Sequence, residues 1–129
     1  MSEDIEKPPI YAVRLSPRAE RDLDAITVSY AESIAGERNA VAWRDGFYDE
    51  IATLATLPHR YPAPPDASAF SFETKQLLYR RAKSSVTHRI YYRIFEDGDD
   101  GRLVRVIHIR YASARALTRR EAREIEAQQ

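Results

Sequence analysis

Apolar residues along this 129-residue chain recur with two different periods, and the change of period separates a helical first half from a strand-rich second half. The run IYAVRL (10–15) reads as a short strand. Ser16-Pro17 then predicts a helix start, the hydroxyl as N-cap and the proline at the first helical position, where its missing N–H is no loss. Ala19, Leu23, Ile26, Tyr30 and Ile34 follow at spacings of three and four, one face of an amphipathic helix, and Gly36 is a stop signal. Trp43, Phe47, Ile51 and Leu54 make the stripe of a second helix over about 37–57, ended by Pro58. With so short a break between them, the two helices should form an antiparallel hairpin packed on a sheet.

Residues 58–74 contain four prolines and no period, so they read as a long loop, either a functional flap or a mobile crossover. Strand patterns resume over about 75–81, 87–96 and 102–111, and the turn sequence DGDDG (97–101) joins the last two as a hairpin. Thr118, with Glu121 three residues on, has the spacing of a capping box for a short final helix. The fold class expected is therefore α+β: a helical hairpin on a four-stranded, mainly antiparallel sheet, in the order β-α-α-β-β-β, with a short C-terminal helix. Residues 1–9 read as a flexible N-terminus, 10–117 as the single domain and 118–129 as the final helix. Leu23, Ile26, Trp43, Phe47, Ile51, Leu54, Ile90, Ile94, Val104 and Val106 are the expected core.

Strand parity predicts two unlike faces. His88, Ile90, Tyr92 and Ile94 separate from Arg89, Tyr91, Arg93 and Phe95, and Val104 and Val106 separate from Leu103 and Arg105. With the helices on the aliphatic face, a row of Arg89, Tyr91 and Arg93 should look outward, with Arg105 and Tyr111 beside it. Charge sharpens this picture. The chain is formally neutral, yet residues 75–115 hold ten Lys/Arg against four Asp/Glu, while residues 1–74 hold seven against thirteen. A concentrated positive sheet attracts polyanions or acidic protein segments. Equally, long arginine stems can cover apolar surface and pair with acidic helices. Arginine beside tyrosine suits RNA, where guanidinium grips phosphate and the ring stacks on a base, and it is also common in protein–protein interfaces.

Composition excludes several chemistries. The chain has no cysteine, so no disulfide, cysteine nucleophile or thiolate metal site is possible. The acidic residues of the helical half (Glu20, Asp22, Asp24, Asp45, Asp49, Glu50) come without a histidine among them and read as a solvated face, so no metal and no cofactor are expected. The acidic start MSEDIEKPP does not fit a signal peptide, and no run of eighteen apolar residues could cross a membrane. A cytoplasmic protein with no membrane partner is the expectation.

The opening YAVRLSPRAERDLDAI, Trp43 and Phe47 in the second helix, LPHRYP at its end, QLLYRRAKSSVTHRIYYRI and GRLVRVIHIRYASAR together resemble the RelE/ParE superfamily. These are toxins of type II toxin–antitoxin modules, also described as plasmid stabilisation proteins, and the resemblance spans about residues 10–117, closer to the ParE-like branch. It implies a growth-inhibiting toxin neutralised by a cognate antitoxin that wraps it with a C-terminal segment. ParE-like members inhibit DNA gyrase, whereas RelE-like members are ribosome-dependent mRNA endoribonucleases that work without a metal. A degenerate toxin that only binds its antitoxin is a third outcome, so whether the chain is an enzyme stays open.

Metal-free RNA cleavage needs a base for the 2′-hydroxyl, cations for the phosphorane and an acid for the leaving oxygen. On the resemblance, the candidates here are Arg81, Lys83, Arg89, Arg110 and Tyr111, with Arg110 at the position of the family's terminal-strand arginine. His88 and His108 are weighed as proton carriers, against a solvent-exposed His88 heading its strand and a satisfied sheet His108. The segment Ala112-Ser113-Ala114 after the last strand lacks the aromatic that ribonuclease relatives often carry, which favours the gyrase reading. Arg80, Arg89, Arg93, Arg105 and Arg115 are the candidates for binding a polyanion or the antitoxin.

Overall fold

A computed structural model describes residues 8–33, 36–81, 84–98 and 101–129. The first strand, β1 (Ala12–Leu15), leads into α1 (Pro17–Glu32) through the predicted cap: the extended Ser16 accepts at Oγ from the Ala19 N–H at 3.1 Å. Ile34, the last residue of the predicted stripe, lies outside the described residues. Gly36, with φ of 71°, makes the left-handed break and at once opens α2 (Gly36–Ala52). α2 is shorter than the predicted 37–57. Its last turn tightens into a 3-10 turn at Thr53–Ala55, which still points Leu54 into the core.

The remaining strands are β2 (Lys75–Tyr79), β3 (His88–Gly98) and β4 (Gly101–Tyr111). Gly98 pairs with Gly101, so the predicted hairpin forms, although Asp99 and Asp100 at its tip lie outside the described residues. The sheet order is β1-β4-β3-β2. β2–β3 and β3–β4 are antiparallel, but β1 runs parallel to β4, so the sheet is mixed. The reason is the route of the chain: the α1–α2 hairpin carries it from the β1 edge across one face to the β2 edge.

One residue departs from the alternation assumed along β4. Tyr91 pairs with His108 and Tyr92 with Val106, which leaves Ile107 as an extra residue in a β-bulge. Before the bulge, Val104 and Val106 face the helices. After it Ile109 does, opposite Ile90, while Ile107 turns to the other side. Pairing with β1 ends at Leu15–Val106, so β4 beyond Val106 has a strand neighbour only in β3. α1 runs along that free edge, where Asp22 Oδ2 accepts from the Ile109 N–H at 3.1 Å.

The helical face holds the main core: Leu23, Trp43, Phe47, Ile51 and Leu54 against Ile90, Tyr92, Val104 and Val106, with the predicted Ile26 and Ile94 only partly buried at its margin. The opposite face is not open. The proline-rich segment 58–74 and α3 (Arg119–Ala127) cover it with a second core of Phe70, Tyr91, Ile107, Leu117, Ala122 and Ile125. Tyr91 is completely buried, so the expected outward Arg89–Tyr91–Arg93 row does not exist as a row. The expectation failed because α3 supplies an apolar face of its own, Leu117, Ala122 and Ile125, that has to be buried too. The capping box at its start is formed, with Glu121 N–H bonded to Thr118 Oγ1 at 3.1 Å and Thr118 N–H to Glu121 Oε1 at 3.0 Å.

Two substitutions test this packing. Tyr79 in β2 reaches across to donate to the Trp43 carbonyl of α2 at 3.0 Å, and a Cβ at Gly46 would overlap that hydroxyl. Gly46→Ala, normally helix-stabilising, should therefore destabilise the protein by about 1–3 kcal/mol in urea unfolding. Ile125→Ala should remove about 2–4 kcal/mol by the same measurement, since Ile125 is fully buried. A change below about 0.5 kcal/mol there, the ordinary surface value, would mean α3 adds nothing to the fold.

Candidate functional site

The arginines concentrated in the second half are divided by the sheet into fastened and free groups. Arg93, Arg105 and Arg14 are register partners across β3, β4 and β1, on the face away from the helices. Arg93 lies over Phe72 at 4.0 Å and over Phe95 at 4.6 Å, and Arg105 lies over Phe95 at 5.2 Å. This stacking orients the guanidinium planes while leaving their donors for an anion. Tyr111 is not beside them: beyond the bulge it faces the helical side, where its ring stacks on His88 at 4.8 Å.

Arg89 is fastened, donating from Nε to Gln76 Oε1 at 2.7 Å and from Nη1 to the Ala112 carbonyl at 3.2 Å. Its register partner Arg110 has no hydrogen bond or ion pair among the described residues. Arg81 is half-buried and bonded to Asn39 Oδ1 at 2.8 Å, whereas Arg80 is exposed, with one 3.5 Å contact to the Ser84 carbonyl. Arg115 is taken by Glu121 in a two-pronged pair at 2.7 and 3.1 Å, which holds the Glu121 carboxyl at a pKa of about 2. Lys83 lies outside the described residues.

Neither of the two histidines weighed as proton carriers stands where a general base would meet substrate; the third, His59, is exposed and pairs with Glu96. Of the two readings weighed for His88, proton carrier or solvent-exposed strand end, neither holds: it is fully buried, 4.9 Å from the Trp43 ring and near Tyr30, with no hydrogen-bond partner on either ring nitrogen. Burial pushes its pKa down to about 4, so it is neutral at physiological pH. His108 is buried on the opposite face, its Nδ1 2.8 Å from Asp22 Oδ2 and its ring 5.5 Å from Tyr91. Tyr91 donates to Asp66 Oδ2 at 2.9 Å, and Asp66 also accepts from the Leu117 N–H at 2.9 Å. Burial first, and then the Asp66 charge, raise Tyr91 to about 12, which keeps its proton in place.

Asp22 and Asp66 are the residues that sequence reasoning missed. Asp22 ties α1 to the β4 edge through the Ile109 N–H, and Asp66 ties its loop to β3 through the Tyr91 hydroxyl and to the lead-in of α3 through the Leu117 N–H; nothing in the local pattern of an acidic helix face or a proline-rich loop distinguishes them. Among the described residues no group of three or more His, Asp or Glu converges on a metal-sized site, and no helix is long and apolar enough to cross a membrane.

The family model of the ParE toxin of type II toxin–antitoxin systems, parDE, matches residues 13–114. The chain belongs to the ParE toxin family. It is thus the toxin type of a type II toxin–antitoxin system. A solved structure described as the chromosomal ParDE TA system from P. aeruginosa superposes with a TM-score of 0.58, over 79% of this chain and 96% of that one, at 14% identity. At that identity the likeness is one of fold. No curated protein sequence matches the chain. The family match ends at Ala114, so the α3 segment of this ParE-family toxin lies beyond it.

The buried His88 makes stability depend on pH. The unfolded histidine takes up a proton near pH 6.5, while the folded one resists it down to about 4. Its contribution therefore makes the toxin less stable as pH falls from 6.5 to 4 and adds nothing to the slope above 6.5. Over that window wild type should lose about 3 kcal/mol more than His88→Phe, read from urea unfolding at several pH values. Parallel pH profiles for the two proteins would show that His88 is not buried neutral.

Proposed function

We propose that this ParE-family toxin is a non-hydrolytic inhibitor of DNA gyrase, held inactive by a cognate antitoxin. The observation that carries this reading is the dispersal of the groups needed for acid–base chemistry. Tyr91 and His88 are sealed in separate cores, His108 is buried against Asp22, Arg89 is bonded to Gln76 and Ala112, and Arg110 and Tyr111 point to opposite faces. What remains accessible is a recognition surface: Arg93 and Arg105 stacked on aromatic rings with exposed Arg14 paired in register to Arg105, and, separately, exposed Arg80 at the end of β2. Stacked, undercommitted arginines grip a large partner but do not by themselves move protons. The family and the ParDE system of similar fold support the antitoxin partner.

The ribonuclease reading keeps one specific support, the unpaired Arg110 at the end of β4, where a cation could stabilise a phosphorane. The two readings separate in a paired assay. Purified toxin should lower gyrase supercoiling in a dose-dependent way and leave messenger RNA on translating ribosomes intact. Ribosome-dependent cuts by wild type that fall about 10²–10³-fold in Arg110→Ala would reverse the assignment. Absence of both activities in folded toxin that still binds its antitoxin would identify a degenerate toxin.

A further inference from the structure

A cleft of about 420 Å³ opens between α1, the free edge of β4 and the turn that leads into α3. Two of its lining residues are Arg18 and Arg110, and neither has a hydrogen bond or ion pair among the described residues. The Arg18 Nε–H is buried without an acceptor, a position that disfavours the empty cleft. Two carboxylates also line it, but both are occupied: Asp22 by the Ile109 N–H and His108, Glu121 by Arg115 and the Thr118 N–H. The rest of the wall is largely aliphatic, formed by Ile26, Ile109 and Leu117.

We infer that this cleft seats an acidic–apolar peptide segment of the antitoxin, a carboxylate held by Arg18 and Arg110 and an aliphatic side chain against Ile26, Ile109 and Leu117. The inference rests on the antitoxin reading above and locates it. Unpaired guanidinium donors call for an anion, and the aliphatic wall calls for a side chain next to it. A phosphodiester backbone fits less well, since it would repeat its charge along a wall that already carries Asp22 and Glu121. β4 beyond Val106 has no strand on that side and α1 takes the edge only as far as the Asp22–Ile109 bond, so the segment would enter by side-chain contacts with the cleft rather than by adding a strand. Leu117 and Glu121 come from the part of the chain beyond the family match, which makes the cleft a place where this toxin can discriminate its own antitoxin from those of relatives.

The test is calorimetric titration of the toxin with the product of the adjacent reading frame, using wild type, Arg18→Gln, Arg110→Gln, the double variant and Arg38→Gln, an exposed cation on α2 outside the cleft. Each cleft variant should bind about tenfold or more weakly, and the double variant should lose less than the product of the two because both hold one carboxylate. Arg18→Lys, which keeps the charge but not the Nε donor, should fall between wild type and Arg18→Gln, and this ordering stands even if the glutamine variant folds poorly. Wild-type affinity in Arg18→Gln and Arg110→Gln, or an equal loss in Arg38→Gln, would overturn the cleft while leaving the antitoxin reading in place. Failure of wild type itself to bind would overturn both. Loss of single-stranded RNA binding in the cleft variants with antitoxin affinity unchanged would assign the cleft to nucleic acid and also overturn the inference.

Discussion

The extra residue at Ile107 is the constraint on which the second half of the molecule depends. Regular alternation from Val104 would put His108 among the helices and Ile109 on the outer face. The bulge reverses this, so Ile109 joins the helical core and His108, paired with Tyr91, shares the outer side with Ile107. The parallel pairing of β1 also stops there. Ser16 donates its N–H to the Val106 carbonyl at 2.8 Å and at once caps α1, which launches the helix along the edge that β1 has left. Asp22 then closes the exposed Ile109 N–H, an edge group that would otherwise need water or another strand. One inserted residue thus decides which side chains see which core, where β1 ends and how α1 is placed.

The same sheet is buried on both faces, and this governs what its arginines can do. At the start of β3, Arg89 is held by Gln76 of β2 and the Ala112 carbonyl, and Tyr91 is sealed under the second core. Towards the β3–β4 hairpin the cover thins, and Arg93 and Arg105 lie on Phe72 and Phe95 with their donors unspoken for. A positive sheet in sequence becomes, in three dimensions, a set of structural arginines and a separate set whose donors are left over.

The C-terminal segment beyond the family match is integral to the fold. Leu117, Ala122 and Ile125 complete the second core, Asp66 binds the Leu117 N–H from the proline-rich segment, and Glu126 accepts from the Ser71 N–H at 2.8 Å. The segment 58–74, which composition marks as a flap or crossover, is in fact the other half of this cover. Its prolines shorten the list of backbone N–H groups to be satisfied over an apolar face, which helps irregular chain to lie there.

The local pattern of residues was sufficient for the elements: Ser16-Pro17, the Leu23 and Phe47 stripes, the glycines bracketing the β3–β4 turn and the Thr118–Glu121 box all act within a few residues of themselves. Periodicity also assigned the helical core, because a helix must bury its one apolar stripe. The parallel placement of β1, the bulge at Ile107 and the burial of Tyr91, His88 and Asp66 were decided only when distant segments met. Each depends on contacts between residues tens of positions apart, and parity in a single strand cannot reveal an inserted residue or a second covering layer. For the candidate site this difference is decisive. Sequence identified the residue types, arginine with tyrosine and histidine, but which of them remain free was determined by the partners that folding brought to them.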